Sequence, residues 1–400
     1  MPRVSPIRQI HAQAEASFQT WGPEDSGVEM VETYGEIAAE YASLRRGCAL
    51  IDMTNRGTLE VTGDDRLEFL NRMITQDVKA LAPYRCARSF WLNRKGRIDA
   101  DLRVLALEDR VMLDLDWLSA ERARASLDAF VITEDVQVAD VSERWSRFVI
   151  HGPTAMLALQ SVGVDDEGRP IADLVPGEAC RAEIAGVQVL VDRQDDCGEV
   201  GVHLWLLSAD SDAVWVRLVR ACVPHEDEHG QADERSSQAR IRMRPAGWHA
   251  YNIARIEAGT PLYNIDFGEQ SLPGETGVLR DRVHFKKGCY LGQEVVARMD
   301  ALGKPKQVLV ALRFEANPRG EVVQPFPGAH VMVMTEDAAQ TVGAVTSSTI
   351  SPMLGGEAVA FAQVKTKFAE DLSASLEVAA EGARVRATVQ PSLRFWVKDA

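Results

Sequence analysis

No stretch of the 400-residue sequence is apolar for more than a few positions, far short of the roughly 20 needed to cross a bilayer as a helix. Positive charge is also scarce: 44 Lys and Arg stand against 59 Asp and Glu, a net charge of −15 at pH 7. That balance disfavours a protein that tracks nucleic-acid phosphates or lies on a membrane surface, so neither partner is expected. The six cysteines, Cys48, Cys86, Cys180, Cys197, Cys222 and Cys289, include no Cys-x-x-Cys and no other short pair. Spacing therefore encodes neither a disulfide framework nor a zinc site, and each cysteine stands alone. The N-terminus lacks the apolar core of a secretory leader, and the expected location is the cytoplasm. With 29 Gly and 17 Pro near average usage and 46% hydrophobic residues, the chain should fold, and its length calls for two or three domains.

The first thirty residues show little periodicity and read as an N-terminal extension. From Gly35 the pattern alternates between amphipathic helices and short strands without a regular βαβ repeat. Apolar positions Leu67, Leu70, Met73 and Ile74 mark one helix, and strands flank the turn Asn93-Arg-Lys-Gly96. This mixture predicts an α+β fold with antiparallel sheets over residues 31–304. An acidic segment at 225–238 has almost no apolar residue and reads as a solvated loop; its His225 and His229 have helical metal-ligand spacing, but no metal site is expected there. Residues 305–400 become short strands separated by Pro- and Gly-containing turns, the pattern of a small β-barrel domain.

The segment from Arg280 to Lys306 reverses the charge of the chain, with seven cations against three acids. Such a patch suits an anionic ligand or partner. Cys289 sits inside it, shortly before a helix start at Gly292, and both features favour a thiolate. On spacing alone the residue reads equally as a small buried side chain. Upstream, Asp99 and Asp101 share one side of a strand after the Gly96 turn. They read as hydrogen-bond acceptors for a heterocycle or as solvated turn acids.

Taken in order, Asn93-Arg-Lys-Gly96 to Asp101-Leu102, His151-Gly-Pro153, Arg255-Ile-Glu-Ala-Gly259, Lys287-Gly-Cys-Tyr-Leu-Gly-Gln-Glu294 and Gly343-Ala-Val-Thr-Ser347 resemble the tetrahydrofolate-dependent aminomethyltransferases, the glycine cleavage T-proteins, over residues 30–395. The motif Lys287, Gly288, Cys289, Tyr290, Gly292, Gln293 and Glu294 is similar to the signature of the YgfZ-type folate-binding proteins, which act in iron-sulfur cluster assembly or repair. The resemblance implies three subdomains in a ring around a folate-sized hole, the last being the β-barrel. It implies tetrahydrofolate as cofactor, folate and iron-sulfur client or assembly proteins as partners, and Cys289 and Asp101 as working residues. Asp101 matches the T-protein aspartate that bonds folate near its reactive nitrogen. Arg88, Glu199, His203, Tyr251 and Arg255 occupy or flank further cofactor positions. His203 stands where T-proteins carry a pterin-binding Glu, Tyr251 where an Arg is usual, and Arg88 near an expected Tyr. The function implied is a folate-binding accessory factor for iron-sulfur proteins, with the T-protein-like aminomethyltransferase as the alternative; whether the chain is an enzyme is left open.

Overall fold

The structure, a computed structural model, describes residues 2–165, 170–220, 243–317, 319–334, 339–371, 375–380 and 382–396. The acidic segment 225–238, with Cys222 shortly before it, lies outside the described residues. The fold is α+β, as the mixed pattern predicts, and the chain divides into two compact units. One comprises residues 1–66, 80–87 and 103–254; the other comprises 67–79, 88–102 and 255–400.

The first unit is built on a seven-stranded sheet of order Gly163–Asp165, Ala179–Ile184, Val187–Arg193, Gly201–Leu207, Trp145–His151, Cys48–Asp52, Met243–Pro245. Its pairs are antiparallel except the last, which is parallel. Side chains alternate between faces along each strand, so register decides what each face carries. One face presents Leu50, Phe148, Ile150, Val191, Val202, Leu204 and Leu206, which pack with Val214, Trp215 and Leu218 of the helix Ser211–Arg220 into one apolar core. The opposite face is defined by the pairs His151↔Gly201, His203↔Val149, Asp192↔His203 and Trp205↔Arg147, and it is polar although buried. Ala185 and Gly186, both at positive φ, form the turn that folds 179–193 into a hairpin.

The first thirty residues carry secondary structure that their sequence pattern does not announce. Arg8–Gln13 is helical, and Ser17–Trp21 pairs antiparallel with Val28–Thr33. Ile7 enters the apolar core, and Arg3 donates to the carbonyls of Arg56 and Ser142 at 2.8 Å. Sequence periodicity failed here because the anchors are single residues, each meeting a partner far along the chain.

A five-stranded sheet has the order Cys86–Leu92, Ile98–Ala106, Arg110–Asp116, Arg56–Thr62, Gln137–Asp140. Asp116 ends one of its strands and caps the helix Trp117–Asp128, accepting from the Leu118 amide at 3.0 Å. Such a cap contributes about 1 kcal/mol.

The second unit contains a closed six-stranded barrel: Gln307–Phe314, Glu357–Lys365, Ala339–Ser351, His330–Met334, Leu376–Ala380, Ala383–Val389, the last pairing with the first through Leu312↔Val389. Closure removes the open edges that short strands would otherwise expose. Small and branched residues, including Ala360, Ala362, Val331, Val378 and Val385, fill the interior. Outside the barrel, Phe90, Leu92, Ile98, Tyr263, Phe267, Val283, Tyr290 and Val296 form a second cluster, which seats the segment read as functional.

Candidate functional site

The predicted site residues fall into two groups, one in each unit. In the second unit, the turn after Leu92 is fixed by Asn93, whose side-chain oxygen accepts from the amides of Lys95 (2.9 Å) and Arg97 (3.2 Å). Gly96 completes it at φ +70°. The strand Ile98–Ala106 then starts with alternating burial, leaving Asp99 and Asp101 half-buried between enclosed Ile98, Ala100 and Leu102. Asn93 donates to Asp99 Oδ1 at 3.1 Å. Arg282, almost fully buried, donates its Nε to Asp101 Oδ1 at 2.9 Å and also pairs with Asp281. Arg88 lies 3.7 Å from Asp281, so Arg88, Asp281, Arg282 and Asp101 make a line of alternating charge. Thr75 holds the backbone of Arg282 through a 2.7 Å bond to its carbonyl. A guanidinium so placed fixes the orientation of the Asp101 carboxylate through a charge-assisted hydrogen bond.

The motif 287–294 combines buried anchors with an exposed thiol. Lys287 is buried, and its ammonium donates to the carbonyls of Asn71, Ile74 and Gln76 at 2.6, 2.8 and 2.7 Å. Burial pushes its pKa down to about 8, with Asp77 acting in the opposite sense. Tyr290 sits in the apolar cluster, and burial raises its phenol to about 12. Gly292, at φ +79°, stands at the N-terminus of the helix Gln293–Leu302. A Cβ there would lie 2.9 Å from the Asn93 carbonyl oxygen and 3.1 Å from Gly96 Cα. The motif is thereby locked against the turn that leads into the Asp101 strand. Gln293 is half-buried and Glu294 exposed. Cys289 is exposed, the single exposed cysteine among those described, and a side chain added at Gly288 would meet nothing within 4 Å.

The cationic character of this stretch is smaller than its composition predicts. Four of the seven cations are committed within the unit: Lys287 to carbonyls, Arg282 to Asp101 and Asp281, Arg280 to Asp300 at 3.2 Å and Lys304 to Glu370 at 2.7 Å. Arg255 is also in this unit and reaches no surface. It is fully buried in an ion pair with Asp266, which in turn accepts from Thr346 (2.8 Å) and Ser347 (2.6 Å).

Glu199, His203 and Tyr251 belong to the first unit and are all buried. The rings of His203 and His151 meet edge to face at 5.7 Å, and Tyr251 lies 6.0 Å from His151 on the polar sheet face. Burial lowers His203 to about 3 against the pull of Asp196, and burial likewise lowers His151, so both rings are neutral. A neutral imidazole does not reproduce the two-oxygen acceptance a carboxylate offers a pterin edge. Sequence reasoning missed Arg282, counted only as one charge of a patch, and His151, read only as part of a turn; neither has a local pattern that betrays its partner.

An α+β unit with an attached six-stranded barrel and a buried arginine holding a strand-borne aspartate defines a class, and comparison with known proteins identifies it. Residues 7–287 match the family described as GCVT N-terminal domain, and residues 308–395 match the glycine cleavage T-protein C-terminal barrel domain. The chain belongs to the glycine cleavage T-protein family. It is 28% identical over 354 residues to the aminomethyltransferase of Exiguobacterium sibiricum, covering 88% of each chain. It is 28% identical over 397 residues to that of Cutibacterium acnes, covering 97% of this chain and 96% of the relative. The crystal structure of glycine cleavage system aminomethyltransferase T from Bartonella henselae superposes with a TM-score of 0.81 at 20% identity over 99% of both chains, a likeness of fold. Tetrahydrofolate is the cofactor of the family's aminomethyltransferases, in agreement with the cofactor implied by the sequence. Among the described residues, no helix is long and apolar enough to cross a membrane.

Proposed function

We propose that this protein is a tetrahydrofolate-dependent transferase of a one-carbon unit, with aminomethyl transfer as its reaction. The observation that carries the reading is Asp101, half-buried on its strand and held by Arg282 at 2.9 Å. One carboxylate oxygen is engaged, and the remaining lone pairs suit an N–H of a bound heterocycle, so the residues present fit the cofactor. Tetrahydrofolate, when bound, supplies the ring nitrogen that accepts the one-carbon unit. With the cofactor bound, Asp101 would accept the hydrogen bond of that nitrogen and take up its proton as the nitrogen–carbon bond forms and the carbon's bond to the carrier sulfur breaks, the sulfur leaving as thiolate; Arg282 would hold the Asp101 carboxylate in place. The aminomethyltransferase names of the relatives support the same reading.

The test is turnover of an aminomethylated lipoyl carrier with tetrahydrofolate. The wild type should turn over, and Asp101→Asn should lower kcat by about 10²–10⁴-fold, the usual weight of a positioned acid or base, with folate affinity changed far less. A wild type without turnover removes the reading.

A second reading is favoured by Cys289, whose exposed thiol stands between the buried anchors Lys287 and Tyr290. In it the chain is a YgfZ-type accessory factor that serves iron-sulfur client or assembly proteins through that sulfur. Under this reading Cys289→Ser fails to restore cluster-enzyme activity in a deletion strain, whereas full restoration refutes it.

A further inference from the structure

We propose that His151, Asp196 and His203 form a binding site for one divalent transition-metal ion of borderline softness, of the Zn²⁺ or Fe²⁺ kind. The proposal concerns the first unit alone and does not depend on the folate reading. The ligating atoms of the three side chains all lie within 4.8 Å of one another, and all three residues are buried. His151 is fully enclosed, and neither of its ring nitrogens has a hydrogen-bond partner. His203 Nε2 stands 3.4 Å from Asp196 Oδ2 and also makes no hydrogen bond. Leaving a buried polar group unsatisfied costs about 1–3 kcal/mol, so an imidazole with neither nitrogen bonded, beside a second whose Nε2 has only a long contact to a carboxylate, calls for a ligand.

The backbone is shaped to hold them there. Register places His151 opposite Gly201, two residues before His203 on the same strand, so both rings leave the same face. A Cβ on residue 201 would collide with the His151 ring, so glycine is what admits it.

Two imidazoles and one carboxylate select the chemistry. Without a thiolate in the group, copper(I) and clusters are disfavoured; with two nitrogens, magnesium and calcium are too. Metal bonds of about 2.0–2.1 Å bring ligands to about 3.4 Å apart in a tetrahedral site, so the three must draw in by about 1 Å. Three protein ligands leave a coordination position for water or a substrate atom.

The test uses the metal-free full chain, titrated with Zn²⁺ and Co²⁺ by calorimetry and, for Co²⁺, by visible absorption. One equivalent should bind, and the ¹⁵N ring resonances of His151 and His203 should shift together. His203→Gln and Asp196→Asn should each weaken binding by at least about 100-fold, the upper end of what loss of a mere orienting partner costs. The resonance shifts are read on the wild type, so a variant that folds poorly does not rescue the idea. Unmoved ring resonances, absence of stoichiometric binding, or binding lost in Cys289→Ser but kept in His203→Gln would each overturn it. Tetrahydrofolate titrated into the same metal-free protein reports on the folate reading separately.

Discussion

At the scale of single residues, the best-defined energies come from charges placed where solvent cannot reach them. Lys287 ties the end of the helix Arg66–Met73 and the residues after it to the functional motif by donating to three carbonyls. Lys287→Met preserves the stem but leaves those acceptors unpaired. The expected loss is about 2–4 kcal/mol of stability, read from urea midpoints. Asp114 makes a comparable statement in the other unit. Burial raises its pKa, but Arg56, bonded at 3.0 and 2.9 Å, and Arg147 at 3.6 Å outweigh that and hold it at about 2. A carboxyl depressed in the folded state binds fewer protons there than in the unfolded chain. Its contribution is complete above pH 3.8 and disappears as pH falls through 2. The step amounts to about 2 kcal/mol. Acid titration of the urea midpoint should show this slope, and Asp114→Asn should remove it together with much of the stability at neutral pH.

At the scale of elements, the contact between the Asn93–Gly96 turn and the start of the helix Gln293–Leu302 rests on two glycines at positive φ. Gly292→Ala adds a methyl 2.9 Å from the Asn93 carbonyl oxygen, and Gly96→Ala one 2.6 Å from Val295 Cβ. Gly292→Ala should cost about 1–3 kcal/mol, whereas Gly288→Ala, facing open space, should change stability by no more than about 0.5 kcal/mol. Thermal or chemical unfolding of the pair checks the contrast. The same contrast shows what the sequence discloses. Strand and helix periodicity revealed the Asn93 turn, the Asp101 strand and most of the barrel, because these patterns repeat over a few residues. The barrel strand Leu376–Ala380 escaped notice between segments of turn-forming residues, and the N-terminal hairpin because its pairing is not announced by alternation. Burial of Arg255 and Lys287 could not be read at all. Each is a cation whose partner comes from a different segment, and composition counts such a charge as solvent-facing.

At the scale of the chain, the second unit depends on a polar seam that joins residues 255–275 to the barrel. Asp266 accepts from Arg255, from the Leu262 amide at 2.9 Å and from Thr346 and Ser347. Glu257 accepts from Ser351 at 2.5 Å, and Gln363 donates to the carbonyls of Asp266 and Glu275 at 3.4 and 3.3 Å. A seam this enclosed is costly to break from one side. Arg255→Met leaves the Asp266 carboxylate buried without its countercharge, which typically costs about 3–5 kcal/mol. Because the acceptors span both segments, the loss should reach the barrel and not stay local. Hydrogen exchange should therefore show the amides of 255–275 opening with those of Gln307–Phe314 and Glu357–Lys365 in the wild type, and all three accelerating together in Arg255→Met. If Arg255 served the cofactor instead, as its place in the family motif implies, the variant would lose tetrahydrofolate affinity while exchange across the barrel stayed as in the wild type. Exchange and calorimetry on the same pair of proteins thus separate an arginine that holds the fold from one that holds the ligand.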